Sequence, residues 1–197
     1  LRAGDAHVLV GPFVLGAIRQ RRDVLAPRLL VTPAARHFDV GVHEALARVV
    51  AQPDAILLGR RTYQELAGWA TQNDGLPIAQ YLNDTTKYVV SATLEVLGWA
   101  NSSLLSGDLA EEVTTLKEQP GRDILVIGSP TLVRSLLRDG LLDELALIVH
   151  PIVAGGGTRL FDDMSFGAAL RLVDSHTFDT GVVSLTLMTT RRRFAAA

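Results

Sequence analysis

The chain has 197 residues, enough for a core that needs no staple, and its zero cysteines exclude a disulfide framework, a thiolate nucleophile, a zinc ribbon and an iron–sulfur site. Its 19 basic and 21 acidic side chains leave a net charge of −2, so the broad positive field that duplex nucleic acid requires is missing. Apolar residues make up 48% of the chain, yet no run reaches the roughly 20 residues of a membrane helix, and the expectation is a soluble protein in a reducing cytoplasm.

His7 to Ile18 is apolar, but its cationic cluster of Arg19, Arg21 and Arg22 follows the apolar stretch, the reverse of a signal peptide. His7–Val14 therefore reads as a core strand, and because position 1 is Leu, further residues are expected ahead of it. Arg28–Thr32 reads as a short strand or an extended loop stopped by Pro33, and Val42–Ala51 has helical spacing that Pro53 ends. Asp54–Gly59 is an apolar run of the kind that fills a strand covered on both faces, and Thr62–Ala70 opens a helix. Lys87–Ser91 is a second buried strand. Leu109–Lys117 is a helix with Glu111 and Glu112 near its start, where negative charge is favourable. Asp123–Gly128 repeats the strand pattern, followed by a helix over Thr131–Arg138 with a stop at Gly140, and by the strand Glu144–Val149. Ala169–Phe178 and Val182–Thr190 are β-rich stretches around Asp179-Thr180-Gly181, a hairpin signature. No internal repeat or linker divides the chain, so residues 1–197 are expected to form a single domain: α/β, a central mostly parallel sheet with an antiparallel C-terminal edge.

Apolar strand, glycine, polar residue and helix occur in that order twice, at ILLG-RRT-YQEL and at LVIG-SPT-LVRSLL. Ligands in open α/β sheets collect outside the carboxyl ends of the strands, where helix N-termini offer unpaired N–H groups and partial positive charge. Two such ends side by side would cradle a pyrophosphate. At the first, Gly59 would let the backbone turn tightly, Arg60 and Arg61 would add charge, and Thr62 would both cap the helix and meet phosphate. At the second, Gly128 and Ser129 fill the turn, and the nest forms around Thr131. The plainer alternative is two ordinary turn glycines with Thr62 and Thr131 as helix caps.

The run Asp54-Ala-Ile-Leu-Leu-Gly-Arg-Arg-Thr-Tyr63 resembles the strand, Gly-Arg-x-Thr turn and helix of dihydrofolate reductases and their relatives. Ile124–Ser129, Thr131–Leu137 and Leu142–Phe161 are similar to one branch of that superfamily, which contains the C-terminal reductase half of the bifunctional riboflavin-biosynthesis deaminase/reductase. The likeness runs from about His37 to the C-terminal hairpin. It implies a dihydrofolate-reductase-like sheet with helices on both faces, NADPH as hydride donor, a pterin or ribosylated pyrimidine as substrate, and a homodimer. Carried over by position, Gly59, Arg60, Arg61 and Thr62 would meet the pyrophosphate and the adenosine 2′-phosphate side, and Ser91 the adenosine ribose phosphate. Gly128, Ser129, Thr131 and Leu132 would form the second phosphate and nicotinamide wall, with Gly155-Gly156-Gly157 near the cofactor's other edge. For Ser91 and the triple glycine, a strand-end serine and a glycine loop are alternatives that need no ligand.

Two departures bear on activity. The family's first strand usually ends in a Ser-Leu-Asp-Gly type segment lining the substrate pocket, whereas His7–Val14 is followed by Leu15-Gly-Ala-Ile18. Pro130 follows Ser129, where Gly-Ser-Gly or Gly-Gly-Gly is common, and this removes one N–H and restricts Ser129. A non-catalytic dinucleotide-binding homologue with a degenerate substrate pocket is therefore the second reading, and a purely structural dimer module the third.

Other residues carry less. Of His7, His37, His43, His150 and His176, none has metal-ligand spacing with a carboxylate neighbour except the weak His43-Glu44 pair, so no metal is expected, and His150 before Pro151 reads as a core or interface residue. Ser102, Ser103 and Ser106 lack a nucleophile elbow. Asp162 and Asp163 read as a solvated loop, Trp69 and Trp99 as core or interface anchors, and Arg191–Arg193 as a solvated chain end. No residue stands out as a proton donor, and a bound water could serve.

Overall fold

The computed structural model describes residues 15–18, 53–151, 160–161 and 166–195, with 15–18 and 191–195 as backbone alone. Its elements are β1 (Leu15–Ile18), β2 (Ala55–Gly59), α1 (Arg60–Gln72), α2 (Pro77–Asp84), β3 (Thr86–Val90), β4 (Ser102–Leu105) and α3 (Leu109–Glu118), then β5 (Ile124–Ile127), α4 (Pro130–Asp139), β6 (Glu144–Val149), β7 (Phe166–Thr177) and β8 (Val183–Ala195). The expected strand His7–Val14, the segment Arg28–Thr32 and the helix Val42–Ala51 lie outside the described residues.

The strands form one sheet in the order β4-β3-β2-β5-β1-β6-β8-β7. β4, β3, β2 and β5 run parallel. β1 is antiparallel to both β5 and β6, so β6 points the same way as β5. β8 and β7 close the far edge as an antiparallel hairpin. This is the dihydrofolate-reductase-like α/β architecture, with one antiparallel strand in its interior besides the edge pair.

Burial follows position in the sheet. Every residue of β2 and β5 is buried, which is why AILLG and ILVI read as unbroken apolar runs. The edge strands β4 and β7 are half-exposed and mix serine, charge and leucine. The chain leaves β2 towards β3 through α1 and α2, but leaves β5 in the opposite direction, through α4 to β6. Right-handed crossovers then put α1 and α2 on one face and α4 on the other. α3 belongs with α4: its Lys117 Nζ lies 2.7 Å from Asp143 Oδ2 and donates to the Leu141 carbonyl, both just beyond α4.

Local signals explain most boundaries. Asp108 caps α3, its carboxylate accepting from the Ala110 and Glu111 amides at 2.9 and 3.0 Å, with Glu111 and Glu112 in the first turn. α4 buries Leu132, Val133, Leu136 and Leu137 on one face and ends at Gly140. In the hairpin the Gly181 amide bonds the Phe178 carbonyl, and the glycine holds a φ of 78°.

Three expectations need correcting. α1 begins at Arg60, two residues ahead of Thr62, directly out of β2. α2 and β4 are elements that the sequence reading did not anticipate. Arg191–Arg193 continues the backbone ladder of β8, with Ala168 opposite Arg193, so it is not a free chain end.

The α2–β3 junction is built around a buried cation. Lys87 is fully buried, and its ammonium donates to the carbonyls of Leu82, Asn83 and Thr85 at 2.7, 3.1 and 2.6 Å, taking up orphan acceptors at the end of α2. The same nitrogen stands 4.6 Å from the centre of the Trp99 ring. Trp99 is fixed in turn by Nε1 donating to Asn83 and by its amide donating to the Tyr63 hydroxyl. Burial pulls the Lys87 pKa down to about 8, against the opposing pull of Asp84.

Candidate functional site

β2 and β5 are adjacent and parallel, with Leu58 opposite Ile127, so the next residues along, Gly59 and Gly128, leave the sheet side by side at its carboxyl edge. α1 departs from one to the first face, and α4 departs from the other to the second. A crevice between oppositely departing helices at the carboxyl ends of parallel strands is the topological switch point where open α/β sheets take ligands. The two turns are in contact: a Cβ on Gly59 would lie 2.9 Å from the Ser129 Cβ and 3.0 Å from its Oγ.

That contact revises the reason for glycine at position 59. Its φ of −81° and ψ of 158° are open to any residue, so the glycine is not there to let the chain turn. It is there because a side chain would collide with Ser129. Gly128, by contrast, holds a φ of 59° that favours glycine, and Ser129 follows at 50°, a region non-glycine residues seldom enter.

The caps are also revised. Gly59 and Ser129 are the N-cap residues of α1 and α4, and neither helix start carries a side-chain cap bond. Thr62 and Thr131 sit inside the first turns, so neither is a helix cap. Thr62 is buried, whereas Arg60, Arg61 and Thr131 are exposed. The Thr131 Oγ1 lies 3.5 Å from an Arg134 guanidinium nitrogen. The side chain of Leu132 packs in the core, so only its backbone is turned to other uses. Pro130 occupies the first helical position of α4, where a missing N–H costs the helix nothing.

Ser91 reaches the same edge, because Val90 pairs with Gly59 and Ser91 is the next residue. Its Oγ accepts from the amides of Thr93 and Leu94 at 3.2 and 3.0 Å, and its amide donates to the Leu105 carbonyl. The hydroxyl thus shapes the turn after β3, with its own proton still able to donate. Gly155–Gly157 and Asp162–Asp163 lie outside the described residues. His150 is buried at the end of β6, His176 stacks edge-on against Phe178, and Trp69 is 39% exposed while Trp99 is buried. No three His, Asp or Glu side chains gather to hold a metal among the described residues.

The sequence reading missed the direct contact between the turns. It leaves no trace in either local sequence, because it arises only when β2 and β5 become neighbours.

The sequence model of the RibD C-terminal domain matches residues 32–184. The uncharacterized protein YyaP of Bacillus subtilis (strain 168) is 33% identical over 139 residues, covering 68% of this chain and 73% of that protein. YwjB, another uncharacterized protein of the same strain, is 26% identical over 129 residues, covering 66% and 70%. Among solved structures, a putative riboflavin biosynthesis protein from Shewanella sp. PV-4 superposes with a TM-score of 0.62 at 18% identity, over 81% of this chain and 84% of that one. A pyrimidine reductase-like protein from Corynebacterium diphtheriae gives 0.55 at 16% identity, over 79% and 84%.

Proposed function

The chain belongs to the RibD C-terminal domain family, and from that premise we propose that it is an NADPH-dependent reductase acting on a small heterocycle of the pterin or ribosylated-pyrimidine type. The observation that carries this reading is the pair of touching strand-end turns, Gly59 and Gly128–Ser129, at the switch point of the sheet. Their amides, with the exposed guanidinium groups of Arg60 and Arg61, are the donors that a diphosphate and a 2′-phosphate require. When bound, a reduced nicotinamide supplies the hydride for a C=N or C=O group, and solvent water supplies the balancing proton. The chain's own part is to hold the two helix starts in place, grip the phosphates and orient the ring. The reading includes a homodimer in a reducing cytoplasm.

The non-catalytic alternative is favoured by one observation. In β1, Leu15 pairs with Ile127 and Ile18 with Ile124, so the strand runs away from the crevice and its end at Ile18 lies at the opposite edge of the sheet. Leu15–Ile18, the stretch that stands where the family's pocket-lining segment is expected, is thus an interior strand paired with β5 and β6.

Titration with NADPH, followed by its fluorescence and by the thermal midpoint, tests binding; saturation and a raised midpoint are expected. Oxidation of NADPH on adding a panel of pterins and ribosylated pyrimidines is the reductase outcome. Binding with silence across the panel selects the alternative, and absence of binding removes both. Sedimentation at micromolar concentration reads the dimer.

A further inference from the structure

Ser129 is held in place from every side. Its φ of 50° and ψ of 96° are unusual for a side-chain-bearing residue. Pro130 behind it has a ring-fixed φ, and the Ser129 carbonyl accepts the Val133 amide at 3.0 Å, so the first turn of α4 cannot rotate to relieve it. In front lies Gly59, with room for no Cβ. Strand pairing through Leu58 and Ile127 prevents the two chains from moving apart beneath the contact. A conformation that costs energy and is fixed by its surroundings in this way marks a functional constraint.

We propose that Gly59 and Ser129 form a steric lock that sets the gap between the first turns of α1 and α4, making Ser129 a positioning residue for the dinucleotide. The proposal rests on the reductase reading above. The Ser129 Cβ, more than its hydroxyl, is the working group: it seats on the bare Cα of Gly59 and keeps two sets of helix-start amides at one spacing. Remove the Cβ and the turn gains the freedom of glycine, so the amides no longer converge before the ligand arrives. Add a Cβ at 59 and the turns are forced apart.

The test compares the parent with Gly59→Ala, Ser129→Gly, Ser129→Ala and the Gly59→Ala/Ser129→Gly double variant. Without nucleotide, Gly59→Ala is expected to lower the thermal midpoint by about 5 °C, and Ser129→Gly in the same chain to restore most of the loss. Ser129→Gly alone is expected to leave the midpoint within about 2 °C of the parent while weakening NADPH about tenfold. Ser129→Ala, which keeps the Cβ, should bind within about threefold of the parent. Additive midpoints overturn the lock, and so does parental affinity in Ser129→Gly. Equal weakening in Ser129→Ala and Ser129→Gly assigns the effect to the hydroxyl and overturns the positioning role. If Gly59→Ala does not fold, the Ser129→Gly and Ser129→Ala affinities decide alone. A parent that binds no NADPH overturns the reductase reading and the positioning role with it; non-additive midpoints in that protein place the failure in the reading and not in the contact.

Discussion

At Gly59 and Thr62 the same residues serve different ends from those their types suggest. Glycine after a strand signals a turn, and threonine near a helix start signals a cap, yet Gly59 has an ordinary backbone and Thr62 is buried inside the first turn. What remains exposed at this corner is the charge of Arg60 and Arg61. If that charge meets a 2′-phosphate, it discriminates between nucleotides, because NADH offers a guanidinium only a neutral 2′-hydroxyl there. Replacing Arg60 by Ala, alone or with Thr62→Ala, is therefore expected to weaken NADPH by about tenfold or more, and NADH by much less. Fluorescence titration with both nucleotides measures the ratio; equal losses for the two would remove the 2′-phosphate assignment.

At the scale of elements, the Lys87 ammonium joins the end of α2 to the start of β3. Its lowered pKa makes stability depend on pH in a defined direction. Between about 8 and 10.5 the unfolded chain holds a proton on this lysine that the folded chain has released, so stability rises as pH rises through that window and is lost again as pH falls towards 8. The difference is on the order of 3 kcal/mol at most. Denaturant unfolding from pH 7.5 to 10.5 should show the rise in the parent, and Lys87→Met should flatten it whatever the variant's absolute stability; parallel curves would show that the lysine does not titrate there. The same junction explains which elements the sequence revealed. β2, β5 and β6 were legible because strands covered on both faces are written as apolar runs, and α3 because Asp108 and its acidic first turn are a local signal. α2 was not legible: its cap residue Leu76 offers no side-chain bond to the helix that begins at Pro77, and its end is completed by a lysine from the next strand. β4 is an edge strand of two serines and two leucines, half-exposed, with no alternation to read. In the site, the two glycine turns were legible from their repeat, but the contact between Gly59 and Ser129 depends on β2 and β5 becoming neighbours, which no local pattern encodes.

For the whole molecule, that neighbour relation is the feature on which the proposed function depends. β2 is buried by β3 on one side and β5 on the other, and the crevice exists only while all three stay in register. Leu57, with Tyr88 and Val126 as its partners across the two ladders, has no exposed surface. Truncating it removes packing from the face of the sheet that its side chain fills, at a cost of about 2–5 kcal/mol. At the far edge Leu172 on β7 is 53% exposed, and its truncation should change stability by no more than about 0.5 kcal/mol. Leu57→Ala is therefore expected to lower the thermal midpoint by roughly 5–15 °C and Leu172→Ala by about 2 °C or less. Saturating NADPH should recover part of the Leu57→Ala loss, because a ligand gripping both turns binds only the chain in which β2 and β5 are paired. Calorimetry of both variants with and without nucleotide measures this, and a nucleotide-independent midpoint in Leu57→Ala would mean that the paired strand ends are not where the ligand is held.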